Sequence, residues 1–289
     1  MIRNRFSTIA LVALFFTLPA AAQDYPDVGD LSRKRITQKL NNPVSNLWRI
    51  ILHNNYTLLN GDISTKNRVS WLTRVQIGLP IPLTEKLNLI MRPILPILSV
   101  PVPLANGNFD RKGGLGDIKL PMFLASSRQT GFIWALGTTL GFPSSTDPDL
   151  GTEKWSAGPN GVAVYVGKKW VVGAIITQQW SYAGKGSRED VSTTSLQYSA
   201  WYIHPSGWEV GLGTPTIKAN WEADSDDRWT VPVGLGIGQL LKIPRMPVQI
   251  NLEASYAVVH PDTFGERWNF WLIVKRVFPS LIQKPLFGR

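Results

Sequence analysis

Residues 248–259 read Val-Gln-Ile-Asn-Leu-Glu-Ala-Ser-Tyr-Ala-Val-Val. Val248, Ile250, Leu252, Ala254, Tyr256 and Val258 alternate with Gln249, Asn251, Glu253 and Ser255. Successive side chains of a strand point to opposite faces, so this segment carries one apolar face and one polar face. A tilted strand of roughly 9–11 residues spans a bilayer, and this one is long enough.

The same alternation recurs along the chain. It predicts strands over Leu47 to Leu58, Arg68 to Ile81, Lys86 to Leu98, Leu115 to Leu124, Phe132 to Phe142 and Gly158 to Gly167. Further ones follow at Trp170 to Ser181, Thr194 to Tyr202, Trp208 to Trp221, Thr230 to Leu240, Val248 to Val259 and Trp268 to Phe278. Pro93 and Pro96 fit poorly in a central strand, and the phase change near Pro215 suggests a bulge. Tight connections at Pro82 to Glu85, Ser126 to Thr130, Lys168-Lys169, Pro205-Ser206 and Ile243 to Met246 alternate with longer, polar ones. The longer set is Leu59 to Asn67, Ser99 to Gly114, Pro143 to Ala157, Ala183 to Val191, Ala223 to Arg228 and His260 to Arg267. Short turns at one end and long loops at the other are the pattern of outer-membrane barrels. The expected fold is all-β: a single antiparallel up-and-down transmembrane β-barrel of about twelve strands. A soluble barrel with its apolar face turned inward uses the same alternation, and sequence fixes only which residues share a face.

The flanks complete the organisation. Residues 1–22 form a signal peptide: Arg3 and Arg5, an apolar stretch from Ile9 to Leu18, and Ala20-Ala21-Ala22 as the cleavage site. Residues 23–46 form a polar segment, basic at Arg33, Lys34, Arg35 and Lys39, expected as a periplasmic tail or a plug. The barrel covers 47–278, and a tail covers 279–289.

Composition narrows the function. The hydrophobic share of 44% is that of an ordinary soluble protein, as an alternating barrel also gives. Twelve Trp residues suit the aromatic girdles of a barrel. The absence of Cys removes disulfides, thiolate nucleophiles and Cys-based metal sites. The net charge of +10, or +8 without Arg3 and Arg5, is scattered singly along the strands, with no nucleic-acid motif. His53, His204 and His260 lack zinc-ligand spacing, and no G-x-S-x-G is present. His53 beside a serine is the one arrangement left for a lipid hydrolase. Gly234 to Gly238 lacks the lysine of a phosphate loop and reads as small residues facing a lumen. Glu153-Lys154-Trp155 and Asp224 to Arg228 are charged loop segments that could bind calcium or lipopolysaccharide, or simply be solvated.

Several segments resemble a bacterial outer-membrane family named after the meta-pathway of phenol degradation, whose members are labelled transporter or neuromedin U. They are NPVSNLWRIILHNNYTL from Asn42, GLGDIKLPMFLAS from Gly114, LGTEKWSAGPNGVAVY from Leu150, NWEADSDDRWTVPVGLGIGQLLKI from Asn220 and PVQINLEASYAVVHPD from Pro247. The resemblance implies a porin-class barrel for hydrophobic or aromatic compounds and brings no binding residues with it. The expectation is therefore an outer-membrane channel or transporter for small solutes, not an enzyme, without cofactor or metal. Its partners are outer-membrane lipids and a solute, with no nucleic acid; no feature specifies an oligomeric state. The alternatives are a non-transporting structural or adhesive barrel and a lipid hydrolase. Arg49, Arg68, Arg74, Arg92, Asp117, Lys119, Glu209, Glu253 and Lys275 are the candidate lumen-lining residues. Rings of such charge set pore selectivity; the same residues could instead pair into a network that fills a narrow barrel.

Overall fold

The structure is a computed structural model that describes residues 31–243, 246–278, 280, 282 and 284–287. The expected signal peptide and its cleavage site lie outside the described residues.

A helix, α1 (Arg33–Asn41), precedes the strands. It starts at Ser32, whose Oγ accepts from Arg35 N (3.3 Å), as an N-cap residue does. Pro43 follows its end, where a helix cannot continue. The strands are β1 (Arg49–Gly61), β2 (Ser64–Pro82), β3 (Leu87–Met91), β4 (Ile94–Pro103), β5 (Phe109–Leu115), β6 (Ile118–Ser126), β7 (Gly131–Phe142) and β8 (Lys154–Val166). They continue as β9 (Trp170–Gly184), β10 (Ser192–Ile203), β11 (Trp208–Gly211), β12 (Thr216–Asn220), β13 (Trp229–Ile243), β14 (Met246–Val259) and β15 (Gly265–Val277). Every pairing is antiparallel, and β1 bonds both β2 and β15, which closes the sheet. Three staves are interrupted, as β3/β4, β5/β6 and β11/β12, so the wall is a closed barrel of 12 strands.

The polarity of the wall is the reverse of a soluble core. In β14, Gln249 and Asn251 are 0% exposed while Leu252 is 57% exposed. Leu136 and Leu235 also stand out at 64% and 70%. An apolar belt of this extent around a polar interior is solvated by lipid and not by water. Aromatics gather at its two margins. Trp170 and Tyr202 meet edge to face beside the short turns, and Trp221 with Trp229, and Tyr256 with Trp268, sit beside the long loops.

Several sequence boundaries are corrected. Leu59 to Asn67, expected as a loop, is strand on both sides of a turn at residues 62–63. Ser99 to Gly114 is mostly the β4–β5 hairpin. Both hairpins run past the apolar belt, where alternation stops but the hydrogen-bond ladder does not. The prolines do not exclude a strand: Pro93 falls in the β3/β4 break, and Pro96 sits within β4, its carbonyl accepting from Gly116 N (3.0 Å). The bulge expected near Pro215 is a wider interruption, residues 212–215, that turns at Gly213 with φ +72°. A Cβ there would come within 2.9 Å of Glu253 Oε2, so glycine is required both by the backbone and by the contact.

Two contacts fasten the ends of the chain at the short-turn side. Phe278 N donates to Trp48 O (3.0 Å). Leu286 N and Phe287 N then donate to Pro82 O (3.0 Å) and Leu83 O (2.9 Å), so the tail passes β1 and reaches the end of β2.

Candidate functional site

The interior has two unlike walls at its short-turn end. On one side the inward faces are apolar: Phe123 and Ala125 of β6, Ile133 and Ala135 of β7, Val162, Val164 and Val166 of β8, and Trp201 and Ile203 of β10. The expectation of a polar inner face throughout is corrected here. Val44 packs into this cluster, and Ile36, Leu40 and Leu47 pack with Leu240 and Val277. Residues 31–47 thus bury their apolar side chains inside the barrel end. Gln38 Nε2 fixes α1 to the β8–β9 turn by donating to Gly167 O (2.7 Å).

On the other side, β1, β2, β14 and β15 present polar and charged groups. Arg49 is buried and its guanidinium grips the segment after α1. Nη1 donates to Lys39 O (3.2 Å), Asn42 O (3.0 Å) and Ser45 Oγ (2.9 Å), and Nη2 to Pro43 O (2.8 Å). An arginine can donate this many bonds because its five N–H groups fan out in a plane. Lys275 Nζ donates to Asn41 Oδ1 (2.8 Å), and Asn41 Nδ2 donates to Glu209 Oε2. An asparagine of the N-terminal segment therefore joins a cation and an anion of the wall. Gln249 Nε2 (2.5 Å) and Asn251 Nδ2 donate to the other oxygen of Glu209. Glu253 Oε2 accepts from Thr214 N (2.7 Å) and Thr214 Oγ1 (2.8 Å), which draws the 212–215 break inward.

Arg74 lies over the ring of Trp271, 4.8 Å from its centroid, a cation–π contact. Its Nε has no hydrogen-bond partner, and none of its nitrogens donates to another described residue. Arg92 reaches the side-chain oxygen of Gln76 in that amide's bonded orientation (2.8 and 3.0 Å). Arg92 is close enough to both Arg74 and Arg49 to be repelled by them. Among the described residues, no carboxylate lies within 4.0 Å of Arg49, Arg74, Arg92 or Lys275. A cavity of about 80 Å³ lies directly above the N-terminal segment, lined by Asn41, Arg49, His53, Arg92, Thr214 and Lys275.

The remaining sequence candidates lie elsewhere. Lys119 faces inward from β6, bonds Gln179 Oε1 (2.8 Å), and leaves open space around its side chain inside the barrel. Arg68 sits near the long-loop rim, with its guanidinium over Phe109 (4.3 Å) and Nε donating to Ser64 Oγ (3.2 Å). Asp117 organises the β7–β8 loop: it accepts from Ser144 N (3.1 Å), Ser145 N (3.2 Å), Thr152 N (2.7 Å) and Thr152 Oγ1 (2.8 Å). The structure thus gathers Arg49, Arg92 and Lys275 at one cavity, with Arg74, Glu209 and Glu253 beside it, and leaves Arg68, Asp117 and Lys119 apart. Trp271 and Asn41 were missed. Trp271 shares the inward face with Lys275 by strict alternation, so that signal was present; Asn41 lies in a segment without periodicity and gave none. Neither ring nitrogen of His53 bonds a serine.

No family model matches the chain. A search of curated proteins also returns no match. Among solved structures, an outer membrane channel from Pseudomonas putida F1 is similar, with a TM-score of 0.62 and 19% identity over 80% of this chain and 96% of that one. At that identity the likeness shows a shared barrel fold. The NanC porin (TM-score 0.47, 10% identity, 79% of this chain and 98% of that one) and the Pseudomonas putida toluene transporter TodX (0.42, 10%, 83% and 93%) superpose too loosely to inform this chain.

Proposed function

We propose that the chain is a channel of the bacterial outer membrane that carries small solutes, hydrophobic or aromatic ones among them. The observation that carries this reading is the reversed polarity of the wall: an exposed apolar belt outside, and inside it polar and cationic side chains, with open space around Lys119. The residues presented to a solute are Arg74, Arg92 and Lys119, whose charge favours anionic or polarised species. The similarity of five segments to the phenol meta-pathway family supports the aromatic part, and membership of that family belongs to the proposal. Conductance of the mature chain in planar bilayers tests it. Arg74→Glu is expected to move the reversal potential towards cation preference; an unchanged potential removes Arg74 from the path.

A second reading, a barrel that transports nothing, is favoured by one observation: residues 31–47 fill the short-turn end, and the cavity above them measures about 80 Å³. Deleting residues 23–46 separates the two. A channel closed by its own N-terminus conducts more once it is gone, and a structural barrel stays silent with or without it.

A further inference from the structure

The cavity above the N-terminal segment is built from more positive charge than its surroundings neutralise. Arg49, Arg92 and Lys275 line it, and Arg74 lies beside Arg92. Three carboxylates, Glu209, Glu253 and, on the Arg74 side, Glu266, are the nearby anions. The first two are occupied by amide and hydroxyl donors, and Glu266 is held by Lys218 and Asn269. Lys275 is tied to Glu209 through Asn41, and Arg49 spends its donors on the carbonyls of the N-terminal segment. Arg74 of β2 and Arg92 in the adjoining β3/β4 break are neighbours on the wall, and neither has an ion pair among the described residues. Like charges in a poorly solvated interior are costly unless an anion joins them.

We propose that this cavity holds the carboxylate of a small solute. The inference rests on the channel reading and names the class of molecule that the channel binds. The cavity, about 80 Å³, exceeds what a single water needs, roughly 10–15 Å³, and has room for a carboxylate. Residues 31–47 close the short-turn end, so the rest of the solute extends towards the loop end. There Trp271, on the same inward face of β15 as Lys275 and nearer the loops, already carries Arg74 on its face. A guanidinium pair suits a planar carboxylate because its N–H groups match both oxygens.

Calorimetry of the full mature chain in detergent, with benzoate as the probe, tests this. Benzoate is expected to bind saturably, and benzyl alcohol, of similar shape but uncharged, about tenfold more weakly or worse. Arg74→Gln and Arg92→Gln are each expected to weaken benzoate by about tenfold, while Lys185→Gln, on a loop, leaves it unchanged. Heat-modifiable gel mobility confirms that each variant still forms a barrel, and Arg92→Lys, which keeps the charge, retains part of the affinity. Equal affinity for benzoate and benzyl alcohol, or no benzoate binding, overturns the site; so does inorganic phosphate that binds more tightly than benzoate. Conductance in potassium chloride is read in parallel. Current without benzoate binding leaves the channel standing and removes the carboxylate site, and benzoate binding without current keeps the site and removes the channel.

Discussion

Two walls face each other across the short-turn half of the lumen. One, from β6 to β10, meets the N-terminal segment with valine, isoleucine and tryptophan. The other meets it with Arg49 of β1, Lys275 of β15 and Glu209 of β11. The first holds by excluding water and tolerates any partner of the right shape. The second holds by donors and acceptors in fixed positions, so it selects its partner. The same segment is thus wedged on one side and keyed on the other, and the small cavity lies between the two, with Trp201 on one side and Arg49, Arg92 and Lys275 on the other.

The largest expected effect is on the wedge. Trp201 is 1% exposed within the apolar cluster, and Trp201→Ala should cost about 3–5 kcal/mol, read as a lower urea midpoint in detergent that salt does not restore. A midpoint within experimental scatter of the parent would mean that this wall is not a packed core. Next comes the key. Arg49→Met removes all four side-chain bonds to the N-terminal segment and should cost about 1.5–3 kcal/mol. It should also make residues 31–47 accessible to protease while the barrel stays intact; continued protection would show that packing alone retains the segment. Asn251→Ala is expected to be milder, about 1–2 kcal/mol, because Glu209 keeps Asn41 and Gln249 as donors. A loss as large as that of Arg49→Met would mean that the carboxylate depends on Asn251 above its other partners.

The smallest effect lies outside both walls. Hydrogen bonds from Lys154 and then Ser181 hold the Asp190 carboxyl below the ordinary aspartate range. A depressed carboxylate contributes its stability above the unfolded value and loses it as pH falls through the folded one. Proteolysis of the 185–191 loop should therefore be flat from neutral pH down to about 4 and rise below that. An onset near pH 6 would point to a different group.

What the sequence disclosed follows from where physics is periodic. In β14 and β15 one face meets lipid and the other meets donors, so Leu252 and Glu253, or Leu272 and Lys275, declare their sides in the letters. In β7 and β8 both faces are apolar: Phe132 and Trp134 point out, while Ile133 and Ala135 point into the cluster. There the alternation is of large against small side chains more than of apolar against polar, and the apolar wall is not visible in it. The site was half legible for the same reason. Arg49, Arg74, Arg92 and Lys275 are inward by period, but that Asn41 would bridge Lys275 and Glu209 depends on how a non-periodic segment folds back, which no local pattern encodes. Asp117 shows the opposite error: an acid at a strand end looks like a ring of pore charge, although four donors from one loop already claim it.

A cylinder rolled from a sheet has one line along which it was joined, and here that line runs between β1 and β15. The last residues do not stop at it. By bonding Pro82 and Leu83 they overlap the join like a hem, so parting the first strand from the last also requires lifting the tail from β2. Cutting the chain after Phe278 would leave every strand in place and still make the seam the easiest place to tear.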